Sequence, residues 1–139
     1  MKIFVFLISL LCFSTLAASN SEWEGLILTK ILHSISKSQI ILVYSSDKSL
    51  TNEFKNSDSI EIVKNCKKCD FILAKDATVT SCKKPTIVFS YYAYLHTPNA
   101  IGVFFWQKGR PTIRFSAKRL KYFGLQVKGE LSKFVSKND

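Results

Sequence analysis

The chain reads as an α/β protein: one domain with a mixed sheet, flanking helices, and a C-terminal β-hairpin followed by short helices. Three observations predict this. An amphipathic helical stretch over residues 21–37 leads into the continuous apolar run Gln39-Ile40-Ile41-Leu42-Val43-Tyr44. Further short apolar runs follow at intervals, as expected for strands covered on both faces. Then Ala100 to Gln107 and the alternating segment Thr112-Ile113-Arg114-Phe115 flank a Lys108-Gly109 turn, which is the pattern of a hairpin.

The elements follow in order. Residues 1–19 form an export signal, with Lys2 as the basic start, a largely apolar run to Phe13, and small residues at Ala17, Ala18 and Ser19. The remaining 120 residues, 20–139, suffice for a single domain. In the first helix Trp23, Ile27, Ile31 and Ile35 fall on one face, and Ser21 with Glu24 has capping-box spacing. Residues 39–44 form a strand. Residues 47–54 suit a short helix capped by Ser46 or Asp47.

Brief strands are expected over 60–63, 70–74 and 85–90, with Pro85 at a position that tolerates a missing N–H. Residues 91–98 are a loop or a single helical turn. After the hairpin, Ser116 can cap a helix over 117–123 that Gly124 ends. A last short helix is expected over 130–135. The order suits a compact α/β sandwich.

The chain carries 20 basic and 10 acidic residues, net +10; without the leader, which holds only Lys2, the balance is 19 to 10, or +9. Such charge attracts anionic lipids, polyanions or small anions, or simply keeps the protein soluble. Export makes nucleic acid an improbable partner. It also places Cys66, Cys69 and Cys82 where disulfides persist, and three thiols leave one unpaired in a monomer.

Cys66-Lys67-Lys68-Cys69 is a C-x-x-C, but it precedes a strand rather than a helix, against a thioredoxin-type motif. Asp70 stands where c-type haem attachment needs His. His33 and His96 lack the spacing of a zinc finger or ribbon, so no metal or other cofactor is expected. A structural bridge remains, within the pair or to Cys82. The third thiol would make that bridge exchangeable, and Lys64, Lys67, Lys68, Lys83 and Lys84 would favour thiolates.

Tyr91, Tyr92 and His96 follow a strand, where α/β sheets line ligand crevices, and with Arg110 they could bracket a flat or anionic ligand. Trp106 and Arg110 at the hairpin tip form a candidate partner contact. The sequence holds no Ser/His/Asp set, paired carboxylates or phosphate-cradling glycine loop, which argues against an enzyme.

Several of these segments together resemble the YfiR-like family of small periplasmic regulatory proteins. The likeness runs through residues 23–35 and 39–44, Cys69-Asp70-Phe71-Ile72-Leu73, Pro85-Thr86-Ile87-Val88 and Ile101-Gly102-Val103-Phe104-Phe105. It continues in Ile113-Arg114-Phe115 and from Gly124-Leu125 to Leu131. The hairpin turn, the tail and the C-x-x-C depart from the family pattern. The resemblance implies a periplasmic sensor that represses a membrane-bound diguanylate cyclase through that enzyme's periplasmic part, under control of its disulfide state. Cys69 matches the family's cysteine before a strand. The helix-strand order is also similar to one lobe of a solute-binding protein, which implies a module for a small anionic or aromatic solute.

Overall fold

Seven strands form one sheet in the order β2-β1-β3-β4-β5-β6-β7 in a computed structural model that describes residues 20–75 and 82–139. The export signal expected over 1–19 lies outside the described residues. Strands β1 (Ile41–Tyr44), β2 (Ile60–Ile62), β3 (Phe71–Ala74), β4 (Thr86–Val88) and β5 (Ala100–Gln107) run parallel. β6 (Arg110–Ser116) turns back antiparallel to β5, and β7 (Val135–Ser136) closes the edge parallel to β6. The expected mixed sheet, flanking helices and late hairpin are all present.

Helix α1 (Asn20–Ile35) buries Leu28, Ile31, Leu32 and Ile35, a stripe at i, i+3, i+4 and i+7. Burying such side chains stabilises by roughly 1.5–3 kcal/mol each. Trp23, expected on this face, is instead half exposed, because the buried stripe is rotated away from it. Ser21 falls within the bounds of the helix, and its side chain, expected as the cap, lies outside what the structure describes. The strand begins at Ile41, two residues later than expected, and leaves Ile40 exposed.

Helix α2 (Lys48–Glu53) starts where Asp47 accepts from the N–H groups of Ser49 and Leu50, and it buries Leu50; Phe54, its C-cap, is buried too. Together α1 and α2 cover one face over Val43, Phe71, Leu73 and Ile87. The register puts Tyr44, Ile72, Ala74 and Val88 on the opposite face. There α3 (Tyr91–His96) packs Ala93 and Tyr94 on Val88, Ala100 and Val103. The 91–98 segment thus holds a helix, capped by Ser90.

The β5–β6 hairpin closes on Lys108 and Gly109, both at positive φ (50° and 75°), the turn whose twist suits paired strands. Return pairing starts at Arg110, before Pro111. Helix α4 (Ala117–Tyr122) is capped by Ser116 and ends as Gly124 takes a φ of +67°. The tail differs from expectation: Gly129–Phe134 is a 3-10 helix, and Val135–Ser136 adds a strand that no apolar run announced.

Of the five glycines, Gly102 is the most closely packed. A Cβ there would lie 2.8 Å from the Phe115 ring and 3.2 Å from Ile87 Cδ1. We expect Gly102→Ala to cost about 1–3 kcal/mol by overpacking, seen as a lower urea midpoint with an unchanged slope; an unaltered midpoint would show that the contact yields freely.

Candidate functional site: two surfaces on one face and a crevice at the strand ends

Among the cysteines, Cys66 and Cys82 form the disulfide, 16 residues apart with Cα atoms separated by 6.1 Å. Closing a loop of this length contributes about 3 kcal/mol in the chain-entropy picture. A 3-10 turn over Cys66–Lys68 presents the first cysteine, and Asn65 caps it by accepting from the Lys67 N–H. Asp70 locks the turn to β1: its carboxylate accepts from the Leu42 N–H at 2.9 Å, and its own N–H donates to the Leu42 carbonyl at 2.7 Å. The bond fits an oxidising, exported compartment, and no helix among the described residues is long and apolar enough to cross a membrane.

Among the described residues Cys69 is the free thiol. It is buried, donates to the Cys66 carbonyl at 2.9 Å, and packs with Ile72 and Cys82. Burial raises its pKa, and the nearby Lys84 offsets only part of that. The lysine-rich sequence suggested a thiolate; at Cys69 desolvation wins.

The second surface is a ledge on α3, on the same sheet face as the disulfide. Tyr91, Tyr92 and Leu95 are exposed, Tyr92 by 67 %. The Tyr92 and His96 rings stack at 4.1 Å, and His96 Nδ1 lies 2.8 Å from the Tyr92 carbonyl oxygen. Three of the sequence-predicted binding residues therefore share one short helix.

The other two are not brought to them. Trp106 packs edge-on against Phe104, on the α1/α2 face. Arg110 pairs with Gln107 at the hairpin tip, and its side chain makes no hydrogen bond or ring contact among the described residues. The arginine that meets the tyrosines is Arg114, 5.9 Å from the Tyr91 ring.

Arg114 also anchors the tail, a contact the sequence did not reveal. Its guanidinium grips the Asp139 carboxylate through Nε and Nη2, and the Tyr94 hydroxyl donates to the same carboxylate at 2.9 Å. Ser116 donates to the Asp139 carbonyl. Burial opposes ionisation of Asp139, but the Arg114 and Tyr94 hydrogen bonds outweigh it and lower the pKa. For Tyr94, burial and then the bond to Asp139 push the phenol upward. Arg119 fixes α3 from below, donating to the Tyr94 and Ala100 carbonyls with its guanidinium 5.2 Å from the Tyr94 ring.

A separate crevice of about 970 Å³ opens where β1 and β3 end, lined by Glu24, Ser49, Asn52, Glu53 and Lys75 among others. The connection from β1 runs outward to β2 while β3 leads towards β4, so this is a topological switch point of the sheet, where open α/β sheets bind ligands. Lys75 pairs with Glu24 at 3.5 Å, while the buried Glu53 Oε2 has no hydrogen-bond partner. Burial first, then repulsion from Glu24, raises the Glu53 pKa to about 7; Asp47 adds to the rise and Lys75 opposes it. Only the strand-then-loop order hinted at this crevice, since its carboxylates lie far apart in sequence.

Two outcomes follow. Because the folded Glu53 pKa is raised, its protonated form stabilises the fold at low pH, and that contribution is lost as the pH rises from 4.5 through about 7. Glu53→Gln should flatten the denaturation profile across that window and add about 1 kcal/mol above it, discounted for partial exposure; a profile identical to wild type would refute this. For Asp139 the sign reverses: its contribution is present above the ordinary carboxylate value of 3.8 and fades as the pH falls through its lowered pKa. Asp139→Asn should cost about 1 kcal/mol at neutral pH, allowing for solvent screening at Arg114, with the difference measured by urea denaturation and shrinking in acid.

No family model matches the chain, and no curated protein matches it.

Proposed function

We propose that this protein is an exported, non-enzymatic regulatory domain that works in the periplasm by binding and controlling a membrane-bound signalling protein. The observation that carries this reading is the α3 ledge. Tyr91, Tyr92 and Leu95 stand exposed on a helix whose other side is held rigidly by Ala93, Tyr94 and Arg119. Rigid aromatic side chains presented from a braced element are what partner interfaces use as anchors. The disulfide lies on the same face. The resemblance to YfiR-like proteins supports a diguanylate cyclase as the controlled enzyme, engaged through its periplasmic part.

A second reading is favoured by the strand-end crevice. The chain would then bind a small solute there, as one lobe of a solute-binding protein does. Glu53 and Lys75 would supply the polar contacts, in place of the Tyr91, Tyr92, His96 and Arg110 set.

Affinity capture from solubilised membranes, followed by titration of the recovered partner, distinguishes the two. Tyr92→Ala should weaken partner binding about 30-fold, the size of an interface anchor, and deletion of the gene should change cyclic-di-GMP levels. If no membrane protein is captured and cyclic-di-GMP is unchanged, the regulatory reading falls. A solute that raises the melting temperature of wild type but not of Glu53→Gln would establish the second.

A further inference from the structure

The two bonded cysteines begin the same tripeptide, Cys66-Lys67-Lys68 and Cys82-Lys83-Lys84. With their Cα atoms 6.1 Å apart, the bond sets one lysine pair beside the other. Lys67, Lys68 and Lys83 are exposed and Lys84 is partly so. Among the described residues none of the four takes part in an ion pair. Asp70, the acid nearest in sequence to the first pair, bonds to the Leu42 N–H rather than to a lysine, and its charge offsets only part of theirs.

Four like charges gathered with no ion-pair partner among the described residues repel one another, and an external anion relieves that repulsion. All four are lysines. Arginine's planar fork suits bidentate recognition of single phosphates, whereas lysine acts as a hydrated point charge on a flexible stem. The set therefore suits a diffuse negative surface better than one stereospecific ligand. Clusters of four or more basic residues reach the size that holds proteins to anionic lipid.

We propose that the Cys66–Cys82 disulfide assembles a four-lysine docking surface for an anionic phospholipid membrane. This does not depend on which protein or solute the domain binds through α3 or the crevice. The bond has an electrostatic role here: it joins two basic pairs, each too small to dock alone, into one patch.

The test is co-sedimentation of the full chain with vesicles of phosphatidylcholine alone and of phosphatidylcholine mixed equally with phosphatidylglycerol. The readout is the anionic-to-neutral binding ratio, which cancels apolar adsorption by the leader. Wild type should favour the anionic vesicles and lose that preference as salt is raised. Each Lys→Gln change at 67, 68, 83 or 84 should lower the ratio about fivefold. Lys118→Gln/Lys121→Gln removes two exposed charges from α4 and should change it far less. Cys66→Ser/Cys82→Ser, confirmed folded by circular dichroism, should lower the ratio with every lysine retained.

Equal binding to both vesicle types would overturn the proposal. So would equal losses from the α4 and patch variants, which would show net charge acting alone. A full ratio in the double-serine variant would overturn the role of the bond. Tight binding to heparin without binding to anionic vesicles would replace the membrane with a soluble polyanion.

Discussion

Phe115 occupies the space that a side chain on Gly102 would need, and the two halves of the sheet meet there. On one side lie the parallel strands, reached through Ile87, which crowds the same point. On the other lies β6, whose Phe115 also registers with Val135 of β7 and whose Ser116 caps α4. A larger residue at 102 would push β6 outward and take the tail and α4 with it. The joint is dense because protein interiors pack like crystals, so a single Cβ is felt.

That joint leaves the two faces with different duties. The face under α1 and α2 holds most of the apolar core. The opposite face is covered in pieces, by the disulfide corner at one end and α3 at the other. Its covering elements are tied down by polar devices: Asp70 on Leu42, Arg119 on two carbonyls, and Arg114 on Asp139. Short elements bury too little apolar area to hold themselves. Directional bonds hold them instead, and they leave the outward side free for contact.

What was legible in the sequence was mostly periodic. The α1 stripe, the apolar strands and the Lys108-Gly109 turn each state a local preference that the fold keeps. Trp23 misled because spacing alone does not tell which part of an amphipathic arc meets the sheet. β7 was invisible because Val135-Ser136 is too short to show alternation and exists only through pairing with β6. The site was read in fragments for the same reason. Tyr91, Tyr92 and His96 are helical neighbours and stayed together, whereas Trp106 and Arg110 fall on opposite sides of a strand pair. Arg114, Asp139, Glu24, Glu53 and Lys75 meet across long sequence separations, which no local pattern encodes.

The two-residue hairpin turn bears on how the chain reaches this fold. Closing β5 on β6 costs very little loop entropy, while every parallel pairing must first draw in a distant segment. The hairpin is therefore the pairing with the lowest closure cost; joining β4 to β5 or β3 to β4 spans a longer connection, and joining β1 to β3 spans the longest, with β2 lying inside it. Cys66 and Cys82 precede β3 and β4, which are neighbours in the sheet, so pairing those strands brings the two sulfurs together. In the same fold Cys69 is buried against Ile72. Among the three described cysteines, the strand pairing itself thus selects which two meet.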